Sequence, residues 1–198
     1  MTEAESAHQI STYNEKPLHA ALKAWYARPG DGIEVNVDGF IIDIVREGLL
    51  IEIQTTSLAS LKRKLLTLAD DHRVRLVYPV PREKWIVKLA EDGHNAPSRR
   101  KSPKRGKVED LFGELVSFPS LLAHPNFSLE VLLIQEDEVR RCDGTRAWRR
   151  RGWITEERRL IQVVDQVRFS TPADLSKLLP SELEEPFTTS DLATAIAR

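Results

Sequence analysis

Three acidic residues, Glu34, Asp43 and Glu52, occur in a stretch where apolar and polar residues alternate. Asp38-Gly39 and Glu47-Gly48 interrupt this stretch where two-residue hairpin turns fit, because glycine tolerates the positive φ of a type I′ turn. Such turns fix the register, which places Asp43 opposite both other acids and all three carboxylates in one row. Like charges facing each other destabilise a sheet, and a bound cation removes that penalty. The row therefore predicts a cation site.

The spacing Asp43 followed by Glu52-Ile53-Gln54 suits a hard divalent cation. Two carboxylates can hold Mg²⁺ (or Mn²⁺) at the sheet surface, and the carbonyl of Ile53 can add a further ligand. Such an ion activates water and neutralises charge that builds on a scissile phosphate. Gln54, two positions after Glu52, points to the same face and can orient the attacking water. Glu34, in the same row, is predicted to assist.

The flanking segments predict the elements that position this row. A helix from about Lys16 to Tyr26, with Pro17 in its first turn, precedes the three strands. Four leucines at helical spacing follow them, after Ser57 as the N-cap: Leu58, Leu61, Leu65 and Leu68. RLVYPV and KWIVKL then predict two further strands. The predicted order is helix, three-strand meander, helix, strand, strand.

Asp43 and Glu52-Ile53-Gln54, set in this order of elements, resemble the core of the PD-(D/E)XK nuclease superfamily, whose fold is restriction-endonuclease-like. The resemblance covers roughly residues 15 to 90 and implies that Asp43 and Glu52 bind the metal. The superfamily usually has lysine at the position of Gln54, and proline at the position of Ile42. Many members add an acid from the first helix, where this chain offers Glu15 or His19. Nucleases of this fold often act as dimers, so the resemblance also implies a homodimer.

The predicted fold class is α/β (α+β), with an αβββαβ core, a mixed sheet and a small helical C-terminal part. The predicted divisions are a flexible N-terminus (1–14), the nuclease-like domain (15–145) and a helical segment (146–198). Within the domain, VEDLFGELVSFPSLLAHP predicts two short helices broken at Pro119, and SLEVLLIQEDEVRR predicts a strand. Beyond it, ITEERRLIQVVDQV, TPADLSKLLP and TTSDLATAIAR are predicted to be short helices. The last of these resembles the first helix of a winged-helix domain.

Two basic clusters predict contact with nucleic acid, with DNA as the favoured class. The first lies in the predicted loop 92–107 and places six cations within nine residues: Arg99, Arg100, Lys101, Lys104, Arg105 and Lys107. The second sets Arg149 and Arg150 between Trp148 and Trp153, a mixture that suits backbone contact or base stacking. The alternatives are a solvated loop for the first cluster and a packed domain junction for the tryptophans.

The composition limits the cellular setting. The chain of 198 residues has 41% hydrophobic content, enough for a substantial core, and a net charge of −1. One cysteine, Cys142, rules out an intrachain disulfide framework and favours a reducing compartment. No apolar run reaches the length of about 18 residues that a membrane span requires. We therefore expect a cytoplasmic protein without a membrane partner.

Three hypotheses of function remain open at this stage. The first is a metal-dependent nuclease that hydrolyses phosphodiester bonds. The second is a catalytically inactive DNA-binding or regulatory protein that keeps the nuclease fold, which Gln54 and the missing proline favour. The third is a protein-interaction module.

Overall fold

A computed structural model describes residues 15–89, 98–115, 119–143 and 152–196. The described strands are β1 (Gly32–Val37), β2 (Phe40–Arg46), β3 (Leu49–Ile53), β4 (Arg73–Lys88), β5 (Ser98–Lys101), β6 (Phe127–Cys142) and β7 (Trp153–Phe169). The helices are α1 (Pro17–Tyr26), α2 (Lys62–Asp71), α3 (Phe112–Leu115), α4 (Pro119–Leu122), α5 (Pro172–Ser176) and α6 (Thr189–Ile196). Two 3₁₀ turns, Leu58–Leu61 and Val108–Leu111, precede α2 and α3.

The strands form one mixed sheet in the order β1–β2–β3–β4–β6–β7, with β5 added to the outer half of β4. The first three strands form an antiparallel meander, β4 runs parallel to both β3 and β6, and β7 runs antiparallel to β6. Apolar residues of α1 pack on one face and those of α2 on the other. The predicted α+β class, with a mixed sheet and several helices, is confirmed.

Both predicted hairpins form in the predicted register. Asp38, Gly39, Glu47 and Gly48 have φ values of 51°, 81°, 48° and 73°, which is the positive φ that a type I′ turn requires at both central residues. Val37 pairs with Phe40 at the first turn, and Arg46 pairs with Leu49 at the second. Local turn chemistry therefore determines how the meander is aligned.

The alternation of side chains breaks in the middle of β2. Ile42 and Ile44 lie two positions apart, yet they belong to apolar clusters on opposite faces of the sheet. Across from this point, Glu34 has a φ of 53°, a value uncommon for residues other than glycine. The strand is therefore distorted at Asp43, the residue between the two isoleucines.

Two secondary-structure predictions are wrong. RLVYPV and KWIVKL belong to one strand, β4, which runs through Pro79 and Pro81. These prolines fall between the stretch of β4 paired with β3 and the stretch paired with β5, so the N–H that proline lacks is not needed there. The predicted helix ITEERRLIQVVDQV is also wrong, because it forms most of β7. The sheet therefore extends to Phe169, past the predicted domain boundary at 145.

The short-helix predictions on either side of β6 are confirmed. The segment from Val108 forms a 3₁₀ turn and α3, and α4 begins at Pro119. The hydroxyl of Thr171 donates to Asp174 at the start of α5, and the hydroxyl of Thr188 accepts from the N–H of Asp191 at the start of α6. The winged-helix resemblance of the last segment stays a prediction. Part of the predicted basic loop is strand β5, and residues 92–97 of that loop lie outside the described residues.

Gly106 connects the basic segment to the proline-containing part of β4. Its N–H donates to the carbonyl of Pro81 over 2.9 Å, and a Cβ at this glycine would meet that oxygen at 2.6 Å. We expect Gly106→Ala to lower the free energy of unfolding by about 1–3 kcal/mol, because the obstacle is backbone. Gly113→Ala is the matched control, since a Cβ at Gly113 meets nothing within 4 Å. Equal urea midpoints for the two variants would contradict this account.

Candidate functional site

Asp43 lies where the pairing of β2 with β3 stops. The last pair before it is Ile44 with Ile51, and beyond this pair the carboxylate of Asp43 takes the place of a backbone acceptor. Its Oδ2 accepts a hydrogen bond from the N–H of Ile53 over 2.8 Å. The side chain therefore holds the carboxyl end of β3 at a fixed distance from β2.

A row of ionisable groups runs from the residue Glu15, just before α1, along one face of α1 and contacts Asp43 through His19. Glu15, His19 and Lys23 recur at intervals of four, and His19 donates to Glu15 Oε1 over 2.5 Å and to Asp43 Oδ2 over 3.3 Å. Burial alone lowers the pKa of His19, but the hydrogen bonds and charges of Asp43 and then Glu15 outweigh it and raise the pKa to about 9. At neutral pH His19 is therefore a cation between two carboxylates.

Glu52 is the buried acid of the site. It is 9% exposed, and its Oε1 accepts from Lys64 Nζ over 2.6 Å. Its Oε2 is shielded from solvent and has no hydrogen-bond partner among the described residues. Burial, followed by the negative charge of Asp43, raises the pKa of Glu52 against the opposing effect of Lys64. Asp43 and Glu52 are thus close enough to influence each other.

Glu34 is separated from Glu52, although Glu34 and Asp43 both contact α1. Oε1 of Glu34 accepts from Lys23 Nζ over 2.6 Å, and Lys23 belongs to α1, whereas the partner of Glu52 belongs to α2 on the other face of the sheet. The predicted single row of three carboxylates is therefore wrong: the break in alternation at Asp43 directs its members toward different helices. Asp43 and Glu52 remain coupled, and Glu34 joins the ion pairs of α1.

Gln54 follows β3, and both ends of its amide are engaged within the next turn. Its Nε2 donates to Ser60 Oγ over 3.3 Å, and its Oε1 accepts from Thr56 over 3.1 Å. Within the described part of the chain, no three His, Cys, Asp or Glu residues are grouped as metal ligands. A cation here would rest on Asp43 and Glu52, with backbone carbonyls and water completing its coordination.

Comparison with known protein families identifies the family of this chain. The family model described as "Domain of unknown function (DUF8091)" matches residues 16–170, the span that begins at α1 and ends just after β7. The chain belongs to the DUF8091 family. A relative from Treponema pallidum (strain Nichols), described as an uncharacterized protein, is 35% identical over 185 residues. That alignment covers 93% of this chain and 73% of the relative. No solved structure matches the chain significantly.

The predicted basic residues of this DUF8091 chain are partly neutralised. Arg99 donates to Asp137 over 2.9 Å and Lys101 to Glu83 over 2.7 Å, and both lie over the ring of Trp85. Arg105 also pairs with Glu83, at 3.5 Å. No ion pair is described for the three remaining cations, Arg100, Lys104 and Lys107. Arg149 and Arg150 lie outside the described residues.

Sequence reasoning missed a second polar cluster, which lies in the outer half of the sheet. Buried Glu136 and Glu138 bind Arg158, Lys84 and Arg140 beside a cavity of about 370 Å³. Burial opposes ionisation of Glu138, but Lys84 and then Arg140 outweigh it and lower its pKa to about 2. Arg158 also donates to the carbonyl of Thr55 over 2.8 Å, which connects this cluster to the segment after Gln54.

The missed residues of the site itself are Lys23 and Lys64. The interval of four that joins Lys23 to His19 and Glu15 is a usable helical signal. Lys64 has no such signal, because its partner Glu52 lies on a strand that is separated from α2 by a turn.

No described helix is both long and apolar enough to cross a bilayer.

Proposed function

We propose that this DUF8091 domain is a metal-dependent nuclease that hydrolyses phosphodiester bonds in nucleic acid, with DNA as the favoured substrate. The observation that supports the proposal most strongly is that Oε2 of Glu52 is buried and has no hydrogen-bond partner among the described residues. Leaving a buried carboxylate oxygen unpaired costs free energy. A hard divalent cation, which binds carboxylate oxygens, would pair with it and with the neighbouring Asp43. A site of one or two carboxylates completed by water is the usual arrangement for Mg²⁺ in proteins.

The order of elements supports the same proposal. α1, the meander β1–β3, α2 and β4 follow one another as in the predicted αβββαβ core, and β4 runs parallel to β3. Asp43 on β2 and Glu52 on β3 are coupled at the point where these strands separate. The element order and the placement of Asp43 and Glu52 both support the proposed resemblance to the PD-(D/E)XK superfamily.

In the proposed reaction, Asp43 and Glu52 would hold Mg²⁺ or Mn²⁺. When bound, the ion would lower the pKa of water and offset charge on the phosphate. A water oxygen forms a bond to phosphorus, and one P–O ester bond breaks with its electron pair left on the departing oxygen. That oxygen takes up a proton, and the attacking water loses one. Gln54 would orient the water after leaving Thr56 and Ser60, and Arg100, Lys104 and Lys107 would contact phosphates.

A second candidate is an inactive nuclease-like protein that binds nucleic acid. Gln54 favours it, because both ends of its amide are engaged inside its own turn. The cations His19 and Lys64 favour it as well, since each pairs with one of the two carboxylates. In that case binding would survive chelation and fall steeply with salt.

The test combines Mn²⁺ titration by calorimetry with nicking of supercoiled plasmid DNA by the full chain. We expect nicking that requires Mg²⁺ or Mn²⁺ and stops in EDTA, and we expect Glu52→Gln to weaken Mn²⁺ binding at least about tenfold. Glu47→Gln, the same change on the exposed second turn, is the control. Plasmid retention in EDTA without nicking under any metal condition would support the inactive alternative instead.

A further inference from the structure

We propose that Lys64 of α2 supplies the cationic side chain of the catalytic site, at the place where the chain has Gln54 instead of lysine on β3. This inference rests on the proposed nuclease function. Hydrolysis of a phosphodiester places additional negative charge on the phosphate oxygens, and a fixed ammonium group stabilises that charge. The ammonium of Lys64 would do so from α2.

Lys64 is held tightly beside the metal-binding carboxylate. Its Nζ lies 2.6 Å from Glu52 Oε1 and 2.6 Å from the carbonyl oxygen of Ile41. The side chain is only 16% exposed, and the next residue, Leu65, is fully buried in the core. The ammonium group therefore has little freedom to leave the site.

The pattern of contacts differs from that of an ion pair built for stability. A buried ion pair stabilises a fold only when additional hydrogen bonds satisfy its remaining atoms. Lys64 contacts only Oε1 and leaves Oε2 of Glu52 unpaired among the described residues. Its remaining contact is to the strand that carries Asp43. The ammonium thus bridges the two metal-binding strands and leaves one carboxylate oxygen open.

Gln54 does not compete for this role. Its amide faces Thr56 and Ser60, and a neutral amide cannot offset the charge of a phosphate. The remaining cations near the carboxylates, His19 and Lys23, belong to α1 and pair with Glu15. Lys64 is the cation that contacts Glu52 itself.

The test measures plasmid nicking and Mn²⁺ affinity for Lys64→Met, Lys64→Arg and the double variant Lys64→Met with Gln54→Lys. Lys62→Met is the control, because Lys62 lies on the same first turn of α2 and is exposed. We expect Lys64→Met to reduce nicking at saturating Mn²⁺ at least about 100-fold, as for removal of one group that stabilises transition-state charge. Its Mn²⁺ affinity should be equal to or tighter than that of the wild type. In the double variant, Gln54→Lys should raise the nicking rate at least about tenfold above that of Lys64→Met alone.

The outcomes separate this inference from the function on which it rests. A wild type that binds Mn²⁺ and nicks, with Lys64→Met equally active at saturating metal, overturns the role of Lys64 alone. A wild type that neither binds Mn²⁺ nor nicks overturns both proposals. Lys64→Arg keeps a positive charge and guards against a folding defect in Lys64→Met. We expect it to fold and to lose at least about tenfold in nicking, because a guanidinium differs in shape from an ammonium.

Discussion

Asp43→Asn is expected to reduce nicking of plasmid DNA at least about 100-fold at fixed Mg²⁺, because the proposed metal ion would lose an anionic ligand. The fold should survive, since the amide oxygen of asparagine can still accept the hydrogen bond that Ile53 donates. The variant therefore separates the charge of Asp43 from its structural contact. Nicking rates under single-turnover conditions give the measurement, and thermal unfolding gives the check on folding.

A second measurement on the same variant, the pKa of His19, tests the site independently of nuclease activity. His19 owes its raised pKa chiefly to Asp43, so the pKa of His19 should fall in Asp43→Asn, as followed by NMR of the imidazole. Asp38→Asn is the matched control, because Asp38 lies in the exposed first turn and asparagine tolerates its positive φ. Nicking by Asp43→Asn at the wild-type rate would remove Asp43 from the proposed mechanism.

Glu136→Ala is expected to lower the free energy of unfolding by about 2–3 kcal/mol. Glu136 is 1% exposed, and its Oε2 accepts from Nε and Nη2 of Arg158 over 2.9 and 2.7 Å. Removal of one partner of a fully buried ion pair costs about 3–5 kcal/mol. Because the side chain of Arg158 is 26% exposed, we expect a loss at or below the lower limit of that range. Urea denaturation measures it.

The control for Glu136→Ala lies on the partner strand. Glu157 pairs with Arg159, whose side chain is 61% exposed, so Glu157→Ala should cost less than about 1 kcal/mol. The double variant Glu136→Leu with Arg158→Leu should recover much of the stability, because an apolar pair can replace a buried ion pair. If Glu136→Ala and Glu157→Ala have the same free energy of unfolding, the buried ion pair stabilises the fold no more than an exposed ion pair does.

Loss of Glu136 should also affect the candidate site. Arg158 holds the carbonyl of Thr55, and Thr55 directly follows Gln54. An arginine released from Glu136 no longer fixes this segment. We therefore regard the outer polar cluster as a support for the turn that positions Gln54.

The proposed site thus combines groups from two strands and two helices. Strands β2 and β3 carry the two carboxylates, α1 places His19 against Asp43, and α2 places Lys64 against Glu52. The two helices lie on opposite faces of the sheet, so each carboxylate has its own cation.

The hairpins of the meander follow from local sequence alone. Asp-Gly and Glu-Gly dipeptides specify their turns through local φ preferences, and a two-residue turn admits one register. The order of helix, meander, helix and strand followed from hydrophobic periodicity, which is also a local property. The sequence pattern therefore places Asp43 and Glu52 on neighbouring strands.

Only the tertiary structure decided what surrounds these two residues. Alternation predicts a straight row, but packing of Ile42 and Ile44 into opposite clusters distorts β2 at Asp43 and separates Glu34 from Glu52. Strong helix formers in β7 were overridden because β6 offers that segment a full-length partner. Lys64 reaches Glu52 across 12 residues of chain. Contacts of this kind depend on how helices dock on the sheet, and docking depends on the whole core rather than on any local pattern.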